Sequence, residues 1–165
     1  MAGTVRRARS GVLLVGALGV GACSGGSGGE AGCGPTTREA LDPAYLVHVL
    51  EDAEDLEYTS DPPTSGPHQS GPAVSGVVDD PLTRPVQVGI LERGVVLIQY
   101  DPDLDATEAA ALVALAGDRV VVAPNPDLPD PIVATAWLFK RTCDAADAEA
   151  LQEFVDERVG NGPEG

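Results

Sequence analysis

Aromatic rings and cations are both scarce in this chain. Its 165 residues hold one Trp, two Phe and three Tyr, and 10 Lys and Arg stand against 26 Asp and Glu. Without a basic stripe there is nothing to neutralise phosphates, so nucleic acid is excluded as a partner. Imidazole is rarer still: His48 and His68 are the two histidines. Zinc sites ordinarily take three or four nitrogen or sulfur ligands, and 20 residues of spacing give no reason for these two to meet. No phosphate-binding loop, dinucleotide fingerprint, C-x-x-C pair or G-x-S-x-G elbow occurs. Ser65 or Ser70 with His68 and an aspartate makes a hydrolase only on paper, because serines and aspartates are common. These absences set the expectations: no cofactor, no metal, no catalytic residue.

What is present begins at the N-terminus. Arg6, Arg7 and Arg9 form a positive segment, Gly11 to Val20 a short apolar one, and Leu18-Gly19-Val20-Gly21-Ala22-Cys23 resembles a bacterial lipobox. The apolar segment is about half the ~20 residues a membrane-spanning helix needs. The reading is a signal peptide over residues 1–22, with Cys23 as the lipidation site. The alternative is a plain secretory leader cut after Ala22, leaving Cys23 a thiol. Residues 23–34 are a Gly/Ser-rich linker, which keeps the folded part within about 15–20 Å of the lipid surface. With the leader gone, seven basic residues face 26 acidic ones, a net charge of −19. Such a surface keeps a tethered domain soluble and disfavours anionic headgroups.

Cys33 and Cys143 are then an even pair in an oxidising compartment, and a disulfide between them is expected. Two unpaired thiols, or pairing with another chain, are the alternatives.

Residues 35–165 read as a single globular domain. Tyr58 to Gly76 is crowded with Pro and Gly, so it is neither regular helix nor inner strand. Val86, Val88 and Ile90 alternate with less apolar neighbours, which predicts a half-buried strand, with Glu92-Arg93-Gly94 as a tight turn. Val95 to Tyr100 is a nearly continuous apolar run, as in a central strand. Asp105 and Glu108 resemble a capping box for a helix ending at Gly117. Arg119–Ala123 and Ile132–Phe139 complete the strands, and Asp144 is expected to cap the last helix. The order hairpin–helix–hairpin–helix predicts an α+β fold: a two-layer sandwich, a small mixed sheet with its helices on one face. Asp101, Asp103 and Asp105 alternate like the start of a calcium loop, but Ala106 and Leu112 stand where its glycine and bidentate glutamate belong.

At Pro62-Pro63-Thr64-Ser65-Gly66-Pro67-His68, Leu91-Glu92-Arg93-Gly94 and Thr135-Ala136-Trp137 the chain resembles a bacterial family catalogued as domain of unknown function 3105. The likeness spans about residues 58–160. Many members of that family are membrane-anchored, and relatives commonly carry histidines where this chain has Gly89 and Arg93, so of that histidine cluster His68 alone is retained. The resemblance implies location and fold more than activity.

The combined reading is a noncatalytic envelope lipoprotein held by a lipid anchor on the extracytoplasmic face of the cell membrane. An envelope protein is its conceivable partner. The expected contact surface is Pro62, Pro63, Thr64, Ser65, Gly66, Pro67 and His68, together with Glu92, Arg93 and Trp137. The alternatives are a metal-binding accessory protein and, behind it, an envelope hydrolase.

Overall fold

The computed structural model describes residues 1, 3, 32–50, 53 and 56–165; the leader, Cys23 and most of the linker lie outside the described residues. Among the described residues no helix is long and apolar enough to cross a membrane. Strands β1 (Thr37–Arg38), β2 (Gly76–Val77), β3 (Val96–Tyr100), β4 (Val120–Pro124), β5 (Ile132–Ala136) and β6 (Phe139–Cys143) form one mixed sheet, ordered β1-β6-β5-β3-β4-β2. Three helices join it, α1 (Arg84–Glu92), α2 (Ala106–Val113) and α3 (Ala148–Arg158), so the class is α+β.

The apolar run at Val95 to Tyr100 is central as expected. β3 pairs parallel with β4 through the α2 crossover and antiparallel with β5. Side chains alternate along a strand. Val96 and Ile98 therefore pack against Leu112, Leu151 and Phe154 of α2 and α3, whereas Leu97 packs against Ile90 and Leu91 of α1. The expected placement of the helices on one face thus holds for α2 and α3 only; α1 covers the other face.

The predicted strand at Val86–Leu91 is instead helix α1. Val86 and Ile90 satisfy a period of two, but they also stand four apart, on one helical face. Pro85 in the first turn and Gly94 just past the end decide it. Gly94 N–H donates to Leu91 O at 2.9 Å and Val95 N–H to Ile90 O at 3.4 Å, the paired bonds of a Schellman stop, with Gly94 at φ +70°. Glu92-Arg93-Gly94 is accordingly a helix end, not a hairpin turn.

Two further expectations need correction. Ile132–Phe139 is not one strand: the chain turns at Trp137-Leu138, and β5 and β6 pair antiparallel with Ala136 opposite Phe139. β4 and β5 are not hairpin partners either, because the Pro-rich segment between them carries the chain past the end of β3. There Asn125 N–H bonds Tyr100 O and Asp101 N–H bonds Pro131 O. The last helix is capped by Asp147, whose carboxylate accepts from Ala150 N–H at 3.0 Å, while Asp144 lies outside it.

Cys33 and Cys143 are bridged and face each other antiparallel beside the outer strands. Gly34 N–H to Thr142 O and Asp144 N–H to Gly32 O, at 2.9 and 3.0 Å, flank the bridge and fasten the entering chain to β6. The disulfide closes a separation of 110 residues. Cys33→Ala/Cys143→Ala should therefore lose up to about 4–5 kcal/mol in urea unfolding, the loop-entropy magnitude. An unchanged unfolding midpoint would show the bridge to be dispensable.

Candidate functional site

The Pro/Gly-rich stretch is not a surface loop. Every residue from Pro62 to His68 is buried, with His68 and Thr64 at 0 % exposure, so this part of the expected contact surface is interior, whereas Glu92, Arg93 and Trp137 are half-buried. A buried irregular segment must find partners for its backbone. Ser60 Oγ accepts from Thr64 N–H and donates to Pro62 O, each at 3.3 Å, and further bonds brace the segment and the chain on either side of it. Asp42, itself buried, accepts from Ala44 N–H at 2.8 Å and Thr59 N–H at 3.2 Å, and its own N–H donates to Ser65 Oγ at 2.9 Å. Tyr58 OH donates to Pro67 O at 2.9 Å, Leu138 N–H to Thr64 O at 3.1 Å, and Lys140 Nζ to Asp61 O at 2.8 Å. Burial holds the Lys140 ammonium below its ordinary pKa. Gly66, at φ +133°, lies so close to Tyr58 that a Cβ would come within 2.8 Å of the ring. Only glycine fits that turn.

The same plug brings the two histidines together, which their spacing did not foretell. His68 N–H donates to Val47 O and Val49 N–H donates to His68 O, both at 2.9 Å, so that His48 and His68 form an isolated parallel bridge. Their rings meet edge to face with centroids 4.5 Å apart. Glu92, at the C-terminus of α1, completes the group: its Oε2 lies 2.7 Å from His68 Nε2. One ligand-type atom from each of His48, His68 and Glu92 falls within 4.8 Å of the others. His68 is sealed, Glu92 is largely covered, and His48 is exposed, so the cluster opens to solvent on the His48 side.

Each imidazole nitrogen of His68 has a neighbour. Nδ1 lies 3.1 Å from Gly66 O, and a carbonyl only accepts, so Nδ1 carries the proton and donates. Nε2 faces Glu92 at the distance of an ion pair, but not along a hydrogen-bond direction. Ser65 Oγ accepts from Asp42 N–H rather than approaching His68, so the imagined Ser65–His68 pair is not assembled.

The other expected residues act as braces. Arg93 donates to Gly71 O and Pro72 O and so pins the exit of the buried stretch, and Arg119 in turn donates to Arg93 O. Trp137 is half-buried against the cluster that holds α1 to the sheet. A Cβ at Gly89 would stand 2.5 Å from Gln69 O, so no side chain is accommodated there with the chain on this path. Asp101 accepts from Asp103 N–H and Asp105 caps α2 through Thr107 N–H, each at 2.8 Å. The Thr107 amide holds the Asp105 carboxyl below its ordinary pKa. Glu108 accepts from Ala146 N–H at 2.9 Å, tying α2 to the approach of α3 instead of closing a capping box.

His48, which a spacing of 20 residues gives no reason to bring near His68, is the member that the sequence does not place at the site. Glu92 and His68 both fall within quoted family motifs, and that joint occurrence was the available signal. His48 lies in an apolar hexad with no motif of its own. A family model described as "Protein of unknown function (DUF3105)" matches residues 41–165, which takes in all three. No curated protein and no solved structure matches the chain.

The plug has a titratable reporter. Burial pushes the Tyr58 phenol up to about 12 from its ordinary 10.0, with Arg84 opposing. A folded-state value above the unfolded one means the contribution is intact below pH 10.0 and is lost as pH rises through about 12. Phenolate absorbance should show one of the three tyrosines ionising near pH 12, and Tyr58→Phe should remove that late step. Ionisation of all three together near the ordinary value would mean that Tyr58 is not held in this way.

Proposed function

The chain belongs to the DUF3105 family, and on that premise we propose that it is a lipid-anchored extracytoplasmic protein that binds a ligand rather than transforming one. The observation that carries this reading is the Cys33–Cys143 disulfide. Structural disulfides persist in oxidising compartments, outside the reducing cytosol. The bridge uses two of the three cysteines and leaves Cys23, at the end of the lipobox-like segment, for lipid. A thioether-linked diacylglycerol at that point, with or without a further acyl chain, supplies the two hydrocarbon chains that stable anchoring needs.

Binding is preferred to catalysis because the candidate nucleophile and base are committed elsewhere. Ser65 Oγ accepts from Asp42 N–H and does not approach His68, whose Nδ1 is held by Gly66 O. The Pro62–His68 segment serves as an inner scaffold, and the accessible part of the cluster is the His48 edge. Around that edge Leu46, Val47 and Leu50 are exposed, Leu50 at 85 %.

Metabolic labelling with a fatty acid tests the anchor. The parent chain should take up label and fractionate with membranes, and Cys23→Ser should lose both. A Cys23→Ser chain that still sediments with membranes and keeps its leader would contradict the reading.

A further inference from the structure

We propose that His48, His68 and Glu92 form a binding site for one first-row divalent transition-metal ion, with zinc as the reference ion. The site lies wholly within the folded domain, so the inference goes beyond lipid anchoring and stands or falls separately from it.

Three independent features converge on it. The first is tautomer. With Nδ1–H of His68 fixed on Gly66 O at 3.1 Å, the neutral ring presents an Nε2 lone pair. A ring nitrogen anchored to a backbone carbonyl is the usual outer support of a metal-ligating histidine, since it sets both tautomer and ring angle. The second is the contact that lone pair makes. Glu92 Oε2 is an acceptor 2.7 Å away, and two acceptors at that distance repel unless something positive lies between them. A proton shared in a hydrogen bond favours a straight line, yet Nε2 has no such partner although it is fully buried. Oxygen set to one side of the lone-pair axis is where a neighbouring ligand of a common cation belongs. The third is His48. A His68–Glu92 ion pair has no use for a second imidazole, whereas a metal does, and His48 brings its ring to a centroid distance of 4.5 Å.

The chemistry of the set selects the ion class. Two imidazoles and one carboxylate suit zinc and its first-row neighbours, not magnesium or calcium, which prefer all-oxygen shells. Ligand atoms in a tetrahedral site with bonds of ~2.0–2.1 Å are roughly 3.3–3.5 Å apart. The 4.8 Å span must therefore contract. The His68–Glu92 approach at 2.7 Å is shorter than that ligand spacing and must open by rotation of the Glu92 carboxylate, while the exposed His48 is the ligand that closes the longer span. Three protein ligands leave a coordination position on the solvent side, the arrangement of an exchangeable ion rather than a closed structural one. The acidic surface raises the local concentration of divalent cations around it.

The test uses the full chain without a histidine tag, stripped with chelator and titrated with zinc by calorimetry and with cobalt by visible absorption. One ion per chain is expected, together with the cobalt bands of a low-symmetry nitrogen/oxygen site. His48→Ala removes an exposed ligand that the fold does not need and should weaken binding about tenfold or more. Glu92→Gln keeps the shape and should weaken binding likewise. Cys23→Ser should bind as the parent does, so loss of the anchor and loss of the site are read separately. Absence of stoichiometric binding by the full chain, or parental affinity in His48→Ala, overturns the proposal. Near-ultraviolet circular dichroism of each variant confirms that the fold is kept.

Discussion

The molecule depends on the satisfaction of one buried, irregular segment. Pro62 to His68 cannot make strand or helix bonds with itself, yet it lies inside the domain. Unpaired backbone groups there would each cost about 1–3 kcal/mol. Ser60 answers from beside it, its hydroxyl accepting from Thr64 N–H and donating to Pro62 O, while buried Asp42 braces the flanking chain by taking the Ala44 and Thr59 amides and reaching Ser65 Oγ with its own. Tyr58 OH and Leu138 N–H meet Pro67 O and Thr64 O, Val47 and Val49 hold the His68 backbone on both sides, and Lys140 braces the entry at Asp61 O. The prolines remove donors that would otherwise need partners, so a Pro-rich sequence is well suited to burial once its carbonyls are met.

That arrangement links scaffold to chemistry. The bridge with Val47 and Val49 and the bond to Gly66 fix His68 in place and in tautomer, and the helix stop at Gly94 ends α1 where Glu92 can face it. Around Glu92 the C-terminal tail folds back, with Glu164 N–H on Glu92 O at 2.9 Å, so the helix end is held from outside as well. The disulfide does a separate task at the far edge of the sheet, fastening the incoming chain to β6. The covalent staple and the histidine cluster thus rest on different contacts.

Much of the frame was legible because its signals are local or arithmetic. The apolar run of β3, the capping aspartate of α2 and the count of cysteines each act through a single element or a single pairing. The errors came where two periods coincide or where distant segments decide. Val86, Val88 and Ile90 fit a strand by alternation, and only Pro85 and Gly94 tip them into helix. Ile132 to Phe139 reads as one strand because nothing in Trp137-Leu138 advertises a corner, and Leu138 adopts φ +63° without being glycine. Burial of Pro62–His68 was hidden for a different reason: proline and glycine mark irregular backbone, and irregular backbone is usually at the surface. His48 was invisible because the backbone bridge that carries it to His68 leaves no trace in spacing.

The central claim is that Pro62–His68 is interior and bonded, and amide hydrogen exchange of the full chain addresses it most directly. The account predicts that the His68 and Leu138 amides, bonded to Val47 O and Thr64 O, exchange about as slowly as those of the central strand β3. Exchange of those amides at the rate of an open loop, while β3 stays protected, would contradict it.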